Sequence, residues 1–349
     1  MPGKRTDYLS WDEYFMSIVS LASLRSVYGS SGACLVDTEN RILSIGCNQA
    51  PYSVYDKIAG GLTNYVLSPV SNALFTFKGR RSEFQGGTIY LSDFPSIEDA
   101  RSLAQAKLQK IVYLKNIPES EDKEITNIIL DAAKVERVPY IKDYSEEEYS
   151  EFLIELQSFL KKYLKKSDGP LSAEEYYMGI AVLSALRSKD PKTQVGSCLV
   201  DENGRVISVG YNGATYGMSD DVLPWHSRGE QTGVKKDVKD PYVAHAEINV
   251  LDNYRGQQDD LNRMRLYVTF SPCIPCTERL SIVPPKEIIW LRKYEKLNLS
   301  EYARWFSKTE TNYHSYNSEI GWDKQSYNEF INETTKVIKK NIGKPGKMR

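Results

Sequence analysis

Tyr242-Val243-Ala244-His245-Ala246-Glu247, followed one helix and one strand later by Ser271-Pro272-Cys273-Ile274-Pro275-Cys276, is the stretch that decides how this chain is read. One imidazole and two thiols three positions apart are good ligands for zinc, which takes N and S donors in a tetrahedron. Catalytic zinc sites supply three protein ligands and leave the fourth place for water. A Cys-x-x-Cys turn at a helix start presents both sulfurs to one point, and the N–H groups and dipole there favour thiolates. With His245 and Glu247 on one helix, their side chains point about 200° apart at ~3.6 residues per turn. Glu247 is then poorly placed to share the coordination position of His245 but near enough to reach a water on the metal, where a proton shuttle belongs. A Cys-x-x-Cys alone also fits a redox pair or half of a structural zinc site. A structural site needs a fourth protein ligand, and in this half only Cys198, His226 and His314 are available, none in a second paired motif.

Outward from that stretch, 349 residues suggest two domains. Apolar content of 41% and charged content of 26% fit a soluble globular protein. No run approaches the ~20 apolar residues of a membrane span, and Met1 to Asp7 lacks the apolar core of a signal peptide. Five cysteines, two of them assigned to metal, argue against a disulfide framework and for a reducing compartment, the cytoplasm with the nucleus left open. A formal charge of −1 and a pI near 6.4 give no global attraction to nucleic acid. The basic runs Lys161 to Lys166 and Lys339 to Arg349 read as a solvated helix face and a loose terminus.

Taken in order, the chain opens with a helix over Ser10 to Ser26, whose apolar residues Phe15, Ile18, Val19 and Ala22 recur at helical spacing. Strands Gly32 to Asp37 and Arg41 to Gly46 follow. Next come a helix near Val70 to Phe77, a strand Thr88 to Leu91, a helix Ile97 to Ala106 and a strand Ile111 to Leu114. A helix Glu121 to Ala133 and a short strand near Val138 to Ile141 complete the series. Such alternation implies a sheet covered by helices. Then the pattern restarts. Glu175-Tyr176-Tyr177-Met178 echoes Glu13-Tyr14-Phe15-Met16, Gly196-Ser197-Cys198-Leu199-Val200-Asp201 echoes Gly32-Ala33-Cys34-Leu35-Val36-Asp37, and Gly210-Tyr211-Asn212 echoes Gly46-Cys47-Asn48. This is a tandem duplication: a first copy over 1–145, a helical linker 146–168, and a second copy over 169–349 with a C-terminal extension. Val70 to Leu74 aligns with Val243 to Glu247, placing Asn72 at the metal histidine and Leu74 at the shuttle glutamate. Ser96 and Asp99 stand at the two thiols. All four chemical positions are replaced, so the first copy is expected to be inactive, with Cys34 and Cys47 in its core.

The H-x-E…P-C-x-x-C order is the signature of zinc nucleobase deaminases, and the second copy resembles the deoxycytidylate (dCMP) deaminase branch of the zinc-dependent cytidine deaminase superfamily. The resemblance runs from about Ser172 to Lys293. It includes Leu186-Arg187-Ser188-Lys189-Asp190-Pro191, Gln194-Val195-Gly196-Ser197-Cys198, Gly210-Tyr211-Asn212-Gly213 and Ser219-Asp220-Asp221-Val222-Leu223-Pro224-Trp225. It implies an α/β fold of two cytidine-deaminase-like domains, each a mixed sheet of about five strands sandwiched by helices. It implies hydrolytic deamination, dCMP to dUMP plus ammonia, with Zn2+ on His245, Cys273 and Cys276 and Glu247 catalytic. Asn212, the Ala246 N–H and the Ser271 carbonyl would hold the substrate, with Arg187 and Lys189 as candidates for its phosphate. It also implies a nucleotide effector of the dCTP/dTTP type, with Mg2+ accompanying it, and a homo-oligomer. Some relatives carry a second zinc before the His-Ala-Glu; that loop here offers only His226 and no cysteine, so one zinc per chain is expected.

Three readings stay open on the sequence. One is a dCMP deaminase whose first copy is structural or regulatory. Another keeps the chemistry but acts on dCTP, a nucleoside or cytosine in single-stranded nucleic acid, which would call for a basic groove with stacking aromatics. The last is a non-enzymatic nucleotide sensor that keeps zinc only for folding, a role in which Glu247 has no use.

Overall fold

The computed structural model describes residues 3–26, 28–50, 66–140, 144–166, 168–226, 235–294, 299–317 and 321–343. The last residues of the basic tail expected from Lys339, 344–349, lie outside the described residues. Contacts divide the chain into two compact units, Trp11–Tyr176 with Val337–Arg349, and Met1–Ser10 with Tyr177–Lys336.

The first unit runs α1 (Trp11–Arg25), β1 (Gly32–Val36), β2 (Ile42–Cys47), α2 (Pro69–Thr76), β3 (Thr88–Asp93), α3 (Ile97–Gln105), β4 (Lys110–Lys115), α4 (Glu121–Ala132), β5 (Glu136–Pro139) and α5 (Glu146–Leu164). Its five strands form one sheet in the order β2-β1-β3-β4-β5. β1 is antiparallel to β2 and β3, and β3, β4 and β5 run parallel. Every residue of β1 is buried, which is why this strand reads as a continuous apolar run rather than an alternating one. Leu35, Ile89, Leu103, Ile111 and Leu130 lie in one core cluster that joins the sheet to α3 and α4.

The second half repeats this order: α6 (Ala173–Ala185), β6 (Gly196–Val200), β7 (Val206–Tyr211), the short β8 (Gly213–Ala214) and β9 (Val243–Ala244), α7 (Ala246–Asp252), β10 (Arg265–Phe270), α8 (Ile274–Ile282), β11 (Glu287–Arg292), α9 (Leu299–Trp305), β12 (Asn312–Ser315) and α10 (Lys324–Ile342). Its sheet, β7-β6-β10-β11-β12, has the same topology as the first. The registers agree in detail. Gly32 pairs with Cys47 and Gly196 with Tyr211, and each hairpin carries a register shift at the matching place, Leu35/Val36 and Leu199/Val200. Leu199, Val250, Leu266, Leu280, Ile288 and Trp290 belong to the second core cluster.

The helix expected as a linker, 146–168, has a counterpart. α5 and α10 are both 19 residues long, and Tyr149 and Tyr327 occupy the same turn, each donating its backbone N–H to the residue four before it, Ser145 and Asp323. Both tyrosines are fully buried. α5 is therefore the closing helix of the first repeat. The C-terminal extension, beyond the resemblance that ends near Lys293, supplies the second sheet's last strand and its closing helix.

One glycine in each hairpin sets the height of the helix that follows. A Cβ at Gly210 would lie 2.6 Å from the Ala246 carbonyl oxygen and 2.5 Å from Val250 N, so only glycine lets β7 pass this close to α7. Gly46 does the same beneath α2, where a Cβ would fall 2.1 Å from the Pro69 carbonyl oxygen.

Candidate active site

Two helix N-termini meet at the end of the second sheet. β8 and β9 pair Gly213 with Ala244 and Ala214 with Val243, which ties the end of β7 to the residue before His245. His245 is the N-cap of α7, with extended backbone (φ −78°, ψ 152°). This corrects the separation of about 200° expected for two residues of one helix: His245 precedes the helix, and only Glu247 has helical backbone. Cys273 caps α8 in the same way (φ −76°, ψ 168°), and Cys276 lies in its first turn. Pro275 fits there because the N–H it lacks would have no partner inside the helix.

His245 Nδ1 lies 3.2 Å from Cys276 Sγ and 3.4 Å from Cys273 Sγ, and the three donor atoms lie within 4.8 Å of one another. A tetrahedral set around zinc places neighbouring N and S donors about 3.6 Å apart, so this donor set fits a zinc ion. The electrostatics agree. The Cys276 thiol and the His245 ring hold the Cys273 thiol well below the usual range. Its hydrogen bond to Cys273 raises His245 to about 9. The Cys276 thiol is pushed up by its hydrogen-bonded neighbour Cys273 and by burial. A metal takes up the deprotonated forms of such groups and releases their protons. Glu247 is 3% exposed, and burial raises its carboxyl to about 7.

The remaining expected residues divide. Asn212 is buried. Its Oδ1 accepts from the Val195 N–H at 2.7 Å, and its Nδ2 donates to the Thr193 carbonyl at 2.9 Å and to Asp190 at 3.3 Å. Both amide hydrogens are thus engaged, while Oδ1 keeps one lone pair. Ala246 is the first residue of α7, and Ser271 is buried beside Cys273, its N–H donating to the Arg292 carbonyl at 2.8 Å. Arg187 departs from expectation. It is 5% exposed, its guanidinium donates to the Leu9 carbonyl at 2.7 Å and lies 5.2 Å from the Tyr8 ring centroid, so it anchors the N-terminal segment. Lys189 pairs with Asp220. Cys198 is buried in β6, and His314 is held at 2.8 Å by Glu287. Neither joins the His245 group; nor does His226, in the described residues.

Tyr302 is a site residue the sequence did not reveal. It is fully buried in α9 and donates its hydroxyl to the Pro272 carbonyl, the peptide group leading into Cys273. Thr277 Oγ1 donates to the Cys273 carbonyl at 3.0 Å, so hydrogen bonds fix the metal turn on both sides. Outer groups that hold ligands in place are worth 10–100-fold in metal affinity. Tyr302→Phe is expected to weaken zinc binding about tenfold, read by competition with a chelating dye, while turnover at saturating zinc changes little.

At the matching place in the first unit the groups are different. The equivalence is fixed by side-chain hydrogen bonds: Asn72 Nδ2 donates to the Cys47 carbonyl at 2.9 Å, and Asn249 Nδ2 to the Tyr211 carbonyl at 2.6 Å. Asn72 therefore corresponds to Asn249, and the alignment that set Asn72 against His245 and Leu74 against Glu247 is four residues out. The residues equivalent to His245, Glu247, Cys273 and Cys276 are Ser68, Val70, Ser96 and Asp99. They form a closed cluster of their own. Ser68 donates to Asp99 Oδ1 at 2.5 Å, the Ser96 N–H reaches Asp99 Oδ2 at 3.3 Å, and the Asp99 N–H donates to Ser96 Oγ at 3.1 Å. Burial raises the Asp99 carboxyl. Asp99→Ala removes the acceptor of two part-buried hydrogen bonds and is expected to cost about 1–2 kcal/mol of stability, measured by urea unfolding.

The model of the cytidine and deoxycytidylate deaminase zinc-binding region matches residues 171–292. Human deoxycytidylate deaminase is 41% identical over 141 residues, 40% of this chain and 76% of that protein. The chain belongs to the deoxycytidylate deaminase family. The mouse deoxycytidylate deaminase is 42% identical over 127 residues, 36% of this chain and 68% of that protein. The dCMP deaminase of cyanophage S-TIM5, solved in apo form, is 22% identical over 40% of this chain and 96% of its own, with a TM-score of 0.30. In this deoxycytidylate deaminase relative, no described helix is long and apolar enough to cross a membrane.

Proposed function

We propose that the second unit is a zinc-dependent hydrolase that removes the amino group of a cytosine nucleotide, converting dCMP to dUMP and ammonia. The observation that carries the reading is the convergence of His245, Cys273 and Cys276 beside the buried Glu247. Zinc, when bound, is a Lewis acid that makes a water nucleophilic near neutral pH. Glu247 would take a proton from the attacking water and deliver it to N3 of the base as the oxygen adds to C4. It would then take the second proton from that oxygen and pass it to the amine, whose bond to C4 breaks to release ammonia and leave the C4 carbonyl. A carboxyl raised by burial suits both directions of transfer. The Ala246 N–H would hold the base carbonyl, and the Ser271 carbonyl would accept from the amino group. Asn212 would accept from a sugar hydroxyl on its remaining Oδ1 lone pair, with its amide already braced on the 190–195 turn. Lys189, beside Asp220, is the better candidate for the phosphate, since Arg187 is engaged with Leu9 and Tyr8.

The same reading makes the first unit structural or regulatory and inactive as a deaminase. It carries with it one zinc per chain, a dCTP/dTTP-type effector accompanied by Mg2+, a homo-oligomer, and residence in the cytoplasm. A sensor that keeps zinc only for folding is disfavoured by Glu247, a buried carboxylate with no part in closing a structural site. The test is ammonia release measured across dCMP, dCTP, deoxycytidine, cytosine and a single-stranded oligonucleotide. dCMP is expected to give the highest kcat/KM and the oligonucleotide none. An inert dCMP beside an active dCTP or oligonucleotide would overturn the substrate while leaving the chemistry.

A further inference from the structure

The first unit contains a cavity of about 400 Å3 formed by the C-terminal half of α2, the turn Arg81–Phe84 and the end of α3. That is within the size range of small-molecule sites. Its apolar part comes from Leu74, Phe75 and Phe84, and three cations, Arg81, Arg101 and Lys107, line it with no acidic residue among the described lining. Phe75 is 63% exposed, and the Arg81 guanidinium lies 5.0 Å from its ring centroid. Ring and guanidinium together offer a face on which a flat group can stack. The Arg101 pair with Glu98 is exposed on both sides, so it holds the guanidinium only weakly.

The repeat shows that this lining is not a property of the fold. At the places of Phe75, Arg81, Arg101 and Lys107 the second unit has Asp252, Gln258, Glu278 and Pro284. The scaffold is shared, yet an aromatic and three cations in one unit are replaced by two acids and no cation in the other. The basic, aromatic lining belongs to the unit that has lost the metal ligands.

We propose that this cavity binds a small amphipathic organic anion. A flat apolar group lies against Phe75 and Phe84, and a phosphate, sulfonate or carboxylate is held by Arg81, Arg101 and Lys107. The site is independent of the deaminase reading, since none of its residues takes part in the catalytic group.

The probe is 8-anilinonaphthalene-1-sulfonate, titrated by fluorescence into the full-length chain beside N-phenyl-1-naphthylamine, which has the same rings without the charge. The expected result is saturable binding of the sulfonate at least tenfold tighter than the neutral compound. The triple variant R81Q/R101Q/K107Q should weaken the sulfonate at least tenfold and leave the neutral compound unchanged, and Phe75→Ala should weaken both. All four side chains are exposed, and an unchanged urea-unfolding profile of the full-length chain reports that the variants fold. Displacement of the probe by AMP or by phenyl phosphate then distinguishes a nucleotide from a simple aryl phosphate. Equal affinity for the charged and neutral probes, or sulfonate binding that survives the triple variant, overturns the proposal.

Discussion

Glu247→Gln is expected to keep its zinc and lose its turnover, with kcat for dCMP falling at least about 10³-fold. Glu247 is separated from the metal ligands by function though it neighbours them in sequence. His245 caps α7, Glu247 sits in the first turn, and the three donor atoms that gather within 4.8 Å do not include its carboxylate. Glutamine keeps the size and the burial but can neither take a proton from water nor return one to the amine. Metal analysis beside steady-state kinetics separates the two properties. Near-normal turnover in this variant would remove Glu247 from the mechanism, and loss of zinc would make it a ligand instead.

Cys276→Ser is expected to lose both. Cys276 is buried and its sulfur lies 3.2 Å from His245 Nδ1, so no water can substitute for it without opening the first turn of α8. Replacing an outer partner costs 10–100-fold in affinity, and loss of a ligand costs more. Zinc affinity should fall more than about 100-fold, with deamination undetectable at equimolar zinc. The measurement is zinc content after gel filtration together with dUMP formation. Because the first unit has Asp99 at this position, already bonded to Ser68 and Ser96, it is not expected to hold the displaced ion.

Much of this was legible because the chemistry is local. A histidine at an N-cap and a Cys-x-x-Cys across another N-cap need only a few consecutive residues each, and the apolar runs of β1, β3 and β4 mark the sheet that places them. The four-residue error in aligning the first copy has a physical origin. The segments between the second strand and the following helix differ in length, so Val70 and Ala73 could be matched to Val243 and Ala246 by type alone. The Asn72 and Asn249 hydrogen bonds, together with the close approaches of Gly46 to α2 and Gly210 to α7, fix the register. α10 was hidden for a different reason. Its buried face mixes Tyr327, Thr334 and Thr335 with Phe330, Ile331 and Ile338, which weakens the apolar stripe. Those polar groups are satisfied internally: the Tyr327 hydroxyl donates to the Gln194 carbonyl at 2.6 Å, and Thr334 and Thr335 donate to carbonyls one turn back. Tyr302 escaped notice for the same reason, since a single tyrosine in α9 carries no sign that its hydroxyl reaches Pro272.

The central claim, a single zinc-dependent deaminase centre on His245, Cys273 and Cys276, is tested most directly by titrating zinc into the chelator-stripped full-length chain and following dUMP formation from dCMP. Activity is expected to rise linearly and level off at one equivalent of zinc per chain. Full activity in the stripped chain, or a plateau reached only at two equivalents, would contradict it.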